Sequence, residues 1–177
     1  MTKPILLITM MFVFAGPCVA QTHFYLDEPF KRPAEIPNGL LPMLRNQIKS
    51  VCPGDPAFQA TDIRSLFSAS RISLNHRPAF ILKSGHICLT GADNAWFWVY
   101  VKTAGRYRSV LTGGTISVDV LRARTHGFRD IETNMATAAF GFRKIYKFSG
   151  SAYEPRVCSE SEMRERNPKP HRVPCQR

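Results

Sequence analysis

The spacing of apolar and polar positions predicts one helix near the start of the chain. Between Leu41 and Val51, apolar side chains recur every three or four residues and therefore share one helix face. They belong to Leu41, Leu44, Ile48 and Val51. Pro42 is compatible with the first turn, Asn38 is predicted to cap the helix, and Cys52 follows its end. The apolar face needs a sheet to cover.

From about Ser70 onward the pattern is typical of strands, with β-branched and aromatic residues in short runs. The predicted strands are Ile72–Leu74, Ala79–Lys83, Trp96–Lys102, Arg106–Leu111, Thr115–Leu121, Phe128–Ile131 and Arg143–Phe148. Turns are predicted at Asn75–Pro78, Ala104–Gly105, Gly113–Gly114 and Ser149–Gly150. Consecutive strands with tight turns predict an α+β fold that is mostly β, an antiparallel β-meander with one N-terminal helix packed on it.

The two ends of the chain differ from this middle part. Residues 21–37 are rich in proline and charge, without a sustained period, and are predicted to form an extended lead-in. Residues 38–155 are predicted to form a single globular domain, a length that suits one core. Residues 156–177 are polar and proline-rich, which predicts a C-terminal tail held by a disulfide.

The first twenty residues have the composition of an export signal. Lys3 precedes the apolar run Ile5–Phe14, and small residues end at Ala20, where cleavage is expected. The run is too short to span a bilayer, and no second apolar stretch of about 20 residues follows it. Lipidation at Cys18 is the alternative, which Pro17 fits poorly. The chain is therefore expected to be periplasmic or secreted, with no transmembrane segment after cleavage.

Four cysteines remain after that cleavage, an even number typical of disulfide-bonded exported proteins. Of the three possible pairings, Cys52–Cys88 and Cys158–Cys175 are favoured, because the second pair would tie down the polar tail. Closing that loop is worth about 3 kcal/mol in the chain-entropy picture. A zinc site is the alternative, but no two cysteines have the short Cys-x-x-Cys spacing.

The chain is strongly basic. Lys3 is the only charged residue among the first twenty, so the exported chain would carry 23 Lys and Arg against 13 Asp and Glu, a formal charge of +10. Such a charge attracts anionic partners, whether polysaccharide, lipid head groups or nucleic acid. A basic surface without a single partner is the alternative. Export disfavours nucleic acid, which leaves an anionic envelope component or a protein as the expected partner.

Cations and aromatic residues share several of the predicted strands. Arginine and lysine can bind phosphate or carboxylate groups while aromatic rings stack on bases or sugars. The candidate binding residues are Arg106, Arg108, Arg122, Arg124, Arg143, Lys147, Trp98 and Tyr107. Similar neighbours are Lys102, Arg129, Lys144, Trp96, Tyr100 and Tyr146. The alternative, which strand alternation favours, is that the aromatic rings fill the core while the cations lie on the solvated face.

Candidate catalytic groups follow no recognised motif. His76 and His126 lie in predicted turns, and with Asp130 or Asp93 they could provide the general base of a hydrolase. Candidate nucleophiles are Ser84, Ser109 and Thr112. There is no Gly-x-Ser-x-Gly elbow, His-Glu-x-x-His motif or phosphate-binding glycine loop. We therefore expect a non-enzymatic binding protein without a cofactor or metal, with a periplasmic hydrolase as the alternative.

Inhibition of a secreted enzyme, or immunity against a secreted toxin, is a further alternative for a small disulfide-bonded exported domain. Neither function leaves a sequence motif. A basic inhibitor would be repelled by a basic cell-wall hydrolase, so this role requires an acidic target.

A succession of short segments carries a resemblance to a known group. The segments are Ile72–Leu82, Trp96–Tyr100, Tyr107–Leu111, Thr125–Ile131 and Tyr146–Tyr153. Together they resemble small exported bacterial proteins of uncharacterised function, whose pattern runs through a Leu-Asn-x-Asp-Gly turn, a tryptophan strand, Tyr-Arg-x-Leu-Leu, Thr-x-Gly-x-x-Asp-Ile and Tyr-x-Phe-x-Gly-x-x-Tyr. The resemblance covers about half of the chain and implies export without implying an activity.

Two of the turns also resemble a degenerate repeat of propeller blades whose loops bind calcium. Calcium needs six to eight oxygen ligands, mostly from carboxylates. The Asn75–Pro78 turn has none, and the turn that begins at His126 offers only Asp130 and Glu132. Calcium binding and a closed propeller are therefore not expected. Asn75 and Asp130 are predicted to be turn residues whose side chains bond their own backbone.

Overall fold

The computed structural model describes residues 21–54, 62–90, 94–164 and 169–175. The predicted export signal and Asp93 lie outside the described residues. Within them, helix α1 spans Leu41–Val51, and short 3₁₀ turns span Asn38–Leu40, Ile63–Leu66 and Ile87–Leu89. The strands are β1 (His23–Tyr25), β2 (Phe67–Ser73), β3 (Pro78–Ser84), β4 (Ala95–Thr103), β5 (Arg106–Thr115), β6 (Ser117–Thr125), β7 (Phe128–Ala136), β8 (Phe140–Phe148), β9 (Tyr153–Glu162) and β10 (His171–Arg172). The predicted α+β, mostly β fold class is confirmed.

The strands form two antiparallel sheets that stack on each other. The small sheet has the order β2-β3-β4-β5, and the large sheet has the order β1-β6-β7-β8-β9-β10. Ile81 and Val99 of the small sheet point into a core shared with the large sheet. Their chain neighbours Leu82 and Trp98 point to the opposite face, because side chains alternate along a strand, and α1 covers that face. The described part of the chain thus forms three layers with two cores between them.

Helix α1 packs on the small sheet through part of the face that its spacing predicts, since Val51 at the end of that face is 43% exposed. Leu44 and Ile48 are buried there, and the Tyr100 hydroxyl lies 3.1 Å from Gln47 Oε1, with which it forms a hydrogen bond. The predicted cap is wrong: a 3₁₀ turn precedes the helix, so the capping position falls on Leu40. The side-chain oxygen of Asn38 instead accepts a hydrogen bond from Arg64.

The lead-in expected at residues 21–37 belongs to the folded domain. Its strand β1 pairs with β6, with Phe24 opposite Val118. Four of its apolar side chains are buried, namely Phe24, Leu26, Phe30 and Ile36. Burying a large apolar side chain contributes about 1.5–3 kcal/mol each, which holds this irregular segment against the sheets.

Two further boundaries differ from the expectation. The small sheet continues through Gly113 and Gly114, which pair with Phe97 and Trp96, so no turn interrupts β5 there. Strand β9 crosses the expected boundary at 155/156 and pairs with β8 along its length. The polar residues of β9 are tolerated because most of its side chains are partly buried or exposed, and the hydrogen bonds to β8 depend on the backbone rather than on side-chain type.

Both predicted disulfides are present. Cys52–Cys88 joins the end of α1 to the 3₁₀ turn between β3 and β4. Cys158–Cys175 joins β9 to the segment that follows β10. No helix in the described part of the chain has the length and hydropathy that a membrane span needs.

Candidate functional site

One end of the two-sheet sandwich is built from four hairpin connections, and we call it the hairpin end. Successive antiparallel strands turn back at alternate ends, so the β2–β3 and β4–β5 turns share one end of the small sheet. The β6–β7 and β8–β9 turns share one end of the large sheet. These two ends coincide, because the backbone N–H of Arg129 donates to the Leu74 carbonyl at 2.8 Å.

Two of the four connections are turns of only two residues. Ala104 and Gly105 have φ values of 48° and 79°, and His126 and Gly127 have φ values of 51° and 78°. Two successive positive φ values are the geometry of type I′ hairpin turns, which match the twist of the paired strands. The first residues of β5 and β7 therefore lie directly at the rim of the hairpin end.

A cleft of about 670 Å³ opens at the hairpin end. It is lined by Arg77, Thr103, Arg106, Tyr107, Arg108, His126, Phe128, Phe148 and Gly150. All four hairpins contribute to this lining. Three guanidinium groups and an imidazole lie around the opening, and no carboxylate is among these residues. The cleft therefore carries concentrated positive charge.

Arg106 and Arg108 face the space between the sheets. Arg108 lies opposite Val101 in the β4–β5 register, and Val101 is buried in the core that the two sheets share. Cross-strand partners share a face, and alternation along β5 places Arg106 on that face as well. Both arginines are exposed, and neither makes a side-chain hydrogen bond or ion pair with the described residues. Their guanidinium groups are accessible to an anion.

The third arginine of the cleft is held in place by its own turn. Arg77 Nη1 donates to Thr103 Oγ1 at 3.2 Å, across from the β4–β5 hairpin. The backbone N–H of Arg77 donates to Asn75 Oδ1 at 2.8 Å, which confirms Asn75 as a turn residue. Arg77 therefore has a defined position beside Thr103, which is the cross-strand partner of Arg106.

Aromatic rings form the floor of the cleft. Phe128 and Phe148 are stacked, with ring centroids 3.9 Å apart and planes inclined by 20°. Tyr153 packs edge-on against Phe148, with a centroid distance of 5.4 Å. Phe148 and Tyr153 are buried, whereas Phe128 is half-buried and borders the opening. A ligand in the cleft would meet both a flat apolar surface and the surrounding cations.

A second group of arginines lies behind the cleft. Arg124 Nη1 donates to the carbonyls of Leu74 and Gly127, which ties the β2–β3 turn to the β6–β7 turn. Arg129 donates from Nε and Nη2 to backbone carbonyls of β6. Burial lowers the pKa of Arg129, and the nearby positive charges of Arg124 and Arg122 lower it further. Several arginine charges thus repel one another here, and an anion would relieve that repulsion.

The candidate binding residues separate into three groups. Arg106, Arg108 and Tyr107 line the cleft, although the Tyr107 ring also packs on Phe80 with a centroid distance of 6.0 Å. Arg122 and Arg124 lie beside it. The remaining members of the set are Arg143, Lys147 and Trp98, and none of them lines the cleft.

Three members of the candidate set have other surroundings. Arg143 is paired with Glu132 at 2.5 Å, and this hydrogen bond raises the pKa of the Arg143 guanidinium. Lys147 lies opposite Glu154 in the β8–β9 register. Trp98 is only 1% exposed and belongs to the core beneath α1, so the prediction that it contacts a ligand is corrected. Its burial agrees with the alternative in which strand alternation places the aromatic rings in the core and the cations on the solvated face.

Arg77, Phe128 and Phe148 line the cleft although the sequence pattern does not mark them for binding, and the pattern indicates His126 only as a candidate catalytic group. Arg77, His126 and Phe128 lie in or beside a hairpin turn. In a meander, alternate turns meet at one end of the sheet, and this signal was available from the predicted turns. The predicted turns do not indicate that two separate sheets bring these ends together.

The candidate catalytic groups are not connected to one another. His76 and His126 are exposed, whereas Asp130 is buried on β7 with an unbonded Oδ1, so its predicted role in a turn is wrong. No hydrogen bond links any two of the three within the described residues. The candidate nucleophiles Ser84 and Thr112 donate to the backbone carbonyls of residues 66 and 97, respectively. The described residues also contain no cluster suited to a metal ion.

A second cleft, of about 650 Å³, contains Lys83 and Ser84. Lys83 Nζ donates to the Leu26 carbonyl at 2.8 Å and also to the Glu28 carbonyl. Burial lowers the pKa of Lys83, and the charges of Asp27 and Glu28 oppose that effect. The ammonium group is therefore engaged in fastening the N-terminal segment to the small sheet, and the basic cleft at the hairpin end is the better candidate for ligand binding.

Comparison with known proteins adds no functional assignment. No protein-family model matches the chain, and no curated protein or solved structure is significantly similar to it. The candidate site therefore rests on its geometry and charge.

Tyr153, under the cleft floor, is expected to make stability fall at alkaline pH. Its hydroxyl donates to the Arg129 carbonyl at 2.6 Å, and burial, with a smaller effect of Asp130, raises its pKa. Above the ordinary tyrosine value of about 10, the unfolded chain loses this proton while the folded chain retains it, so stability decreases as pH rises. Urea unfolding from neutral pH to about pH 11 should show this decrease, and Tyr153→Phe should reduce its slope by up to about 1.4 kcal/mol per pH unit.

Loss of the hydroxyl should also cost about 0.5–1.5 kcal/mol at neutral pH. Tyr100, in the core beneath α1, provides a matched comparison, because burial raises its pKa as well. Combining Tyr100→Phe with Tyr153→Phe should reduce the alkaline slope further. An unchanged slope in both variants would contradict this assignment.

Proposed function

We propose that the protein is exported and that the cleft at the hairpin end binds an anionic group of an envelope component or of a protein partner, without acting as a catalyst. The observation that carries this proposal is the lining of the cleft. It contains three arginines and a histidine, and it contains no carboxylate. Arginine side chains bind carboxylate and phosphate groups with paired hydrogen bonds, which favours both as ligand groups.

The surroundings of the cleft support the same function. Arg122, Arg124 and Arg129 add positive charge behind it. Charges of one sign around a concave opening raise the local concentration of an oppositely charged ligand and its rate of association. An approaching anion is therefore directed to the hairpin end.

Two disulfides support maturation in an oxidising compartment. Both pairs involve buried cysteines, Cys52 and Cys158, and both link segments that are distant in sequence. Such bonds persist outside the cytoplasm and are rare inside it. Together with the signal-like composition of the first twenty residues, they favour an envelope or extracellular partner over nucleic acid.

Reversing the charge of the cleft should weaken anion binding about thirtyfold, which corresponds to about 2 kcal/mol. In the double variant Arg106→Glu/Arg108→Glu, two exposed guanidinium groups are lost and two repulsive carboxylates are added, each worth roughly 0.5 kcal/mol in solvent-screened surroundings. Binding would be measured to immobilised polygalacturonate, which carries carboxylates, and to phosphatidylglycerol vesicles, which carry phosphates. At least one of these probes should bind the unmodified protein and lose affinity for the variant.

A matched control has the same change in net charge on another surface. Arg45 and Lys49 are exposed on α1, which covers the far face of the small sheet. Arg45→Glu/Lys49→Glu should leave affinity within about twofold, because exposed charges beyond a Debye length of about 8 Å are screened. Equal losses in both double variants, or no binding of either probe by the unmodified protein, would overturn the proposal.

A further inference from the structure

The cations of the hairpin end are spread out along the opening. Arg106 and Arg108 are alternate residues of β5, so their Cα atoms are about 7 Å apart. Arg77 directly precedes β3, two strands away in the small sheet, which adds a separation of about 10 Å across the sheet. Arg124 continues the series on the large-sheet side, where it bridges the β2–β3 and β6–β7 turns.

This arrangement differs from a site for one compact anion. A single phosphate or carboxylate is held by donors that converge to about 2.8 Å from its oxygens. Here the Arg106 and Arg108 side chains are exposed, and the described residues contain no hydrogen bond that directs them to a common point. Several separate cations along an opening instead favour a ligand with repeated charges. Once one charge of such a ligand is bound, the next charge is held close to the next cation, and the affinity rises with each added contact.

The floor of the cleft favours ring-shaped units between those charges. Phe128 is half-buried and its ring is fixed by stacking on Phe148. Rings with a flat face stack on such a surface, as bases do in single-strand binding proteins. An extended acidic peptide has no comparable ring at each repeat. Nucleic acid has rings, but the two disulfides favour a compartment where it is scarce.

We infer that the ligand of this cleft is a linear acidic polysaccharide, whose acid groups contact Arg77, Arg106 and Arg108 while a sugar ring stacks on Phe128. This inference rests on the proposed anion-binding function and adds the class of ligand. It assigns different roles to the two kinds of side chain. The arginines supply charge contacts, whereas Phe128 supplies a contact that salt does not screen.

Chain length is the first test. The purified protein would be titrated calorimetrically with galacturonate and with its oligomers of about four and about eight sugars. We expect the affinity to rise at least about tenfold from the monomer to the tetramer, because a longer chain presents several carboxylates to the separated cations. Equal affinity for the monomer and the oligomers would overturn the polysaccharide inference and leave anion binding intact. If neither the galacturonates nor the phosphatidylglycerol vesicles bind, the proposed function itself is overturned.

Salt dependence is the second test, and it separates the roles of the side chains. Arg77→Ala, Arg106→Ala and Arg108→Ala should each reduce the slope of log affinity against log salt by about one. Phe128→Leu should weaken binding about fivefold to tenfold with an unchanged slope, and Phe128→Tyr, which keeps the ring, should restore it. An unfolding midpoint of Phe128→Leu in urea well above the binding conditions would show that its loss of binding is not misfolding. No loss in Phe128→Leu would overturn the stacking contact.

Two competing polyanions complete the design. Poly-glutamate and a single-stranded oligonucleotide of equal charge would be titrated at the same salt concentration. Both should bind at least about tenfold more weakly than the galacturonate octamer. Equal or tighter binding of either one would overturn the assignment to a polysaccharide.

Discussion

Replacing Trp98 with alanine is expected to lower the free energy of unfolding by about 3–5 kcal/mol. Trp98 is 1% exposed in the core beneath α1, and Phe67 packs edge-on against it with a centroid distance of 5.3 Å. Removing the indole leaves a cavity that these neighbours cannot fill, in addition to the lost burial of apolar surface. Urea unfolding followed by circular dichroism would measure the change.

The same variant separates a core role from a binding role. Below its unfolding transition, Trp98→Ala should bind the anionic probes as the unmodified protein does, because the indole is not part of the cleft. Trp96 is the matched control: it precedes Trp98 by two residues, is partly exposed, and its Nε1 donates to Thr112 Oγ1 at 3.0 Å. Trp96→Ala should cost about 1 kcal/mol. Near-normal stability of Trp98→Ala together with lost anion binding would contradict this description.

Removal of the Cys52–Cys88 disulfide is expected to cost about 4 kcal/mol, and removal of Cys158–Cys175 about 3 kcal/mol. The first bond closes a loop with a sequence separation of 36 and the second closes one with a separation of 17. In the chain-entropy picture the longer loop restricts the unfolded chain more, so its bond stabilises more. Unfolding of the two Cys→Ala double variants in urea would give both values.

The two variants should also differ in what they loosen. Cys52–Cys88 anchors the end of α1 to the connection between β3 and β4, so its loss should increase amide hydrogen exchange in α1. Cys158–Cys175 holds the segment after β10, and its loss should affect that segment and spare α1. The reverse order of stability, or loosening of α1 in both variants, would contradict the assignment.

Local patterns account for the parts of the fold that were predicted correctly. Leu44 and Ile48 lie four residues apart, and this spacing alone indicates the face by which α1 is buried. The β4–β5 hairpin follows from Ala104-Gly105 between two runs of strand-forming residues. Each of these features depends on residues a few positions apart, and for such features sequence patterns are informative.

Features that depend on distant neighbours were missed. Gly113 and Gly114 are typical turn residues, yet they continue β5 because β4 supplies hydrogen-bonding partners for them. The segment around Phe24 has no regular period, yet it is buried because β6 and both sheets offer it an apolar surface. In both cases tertiary contacts outweighed local preference, as they commonly do in sheets.

The candidate site shows the same division. The chain alone identified Arg106, Arg108 and Tyr107 as members of a basic and aromatic set, because their residue types and strand positions are local properties. It could not separate them from Arg143, which forms an ion pair with Glu132, or from Trp98, which is buried. Nor could it add Arg77 and Phe128. That selection results from the stacking of two sheets, which brings hairpins far apart in sequence to one opening, and stacking depends on contacts between surfaces that no short stretch of chain contains.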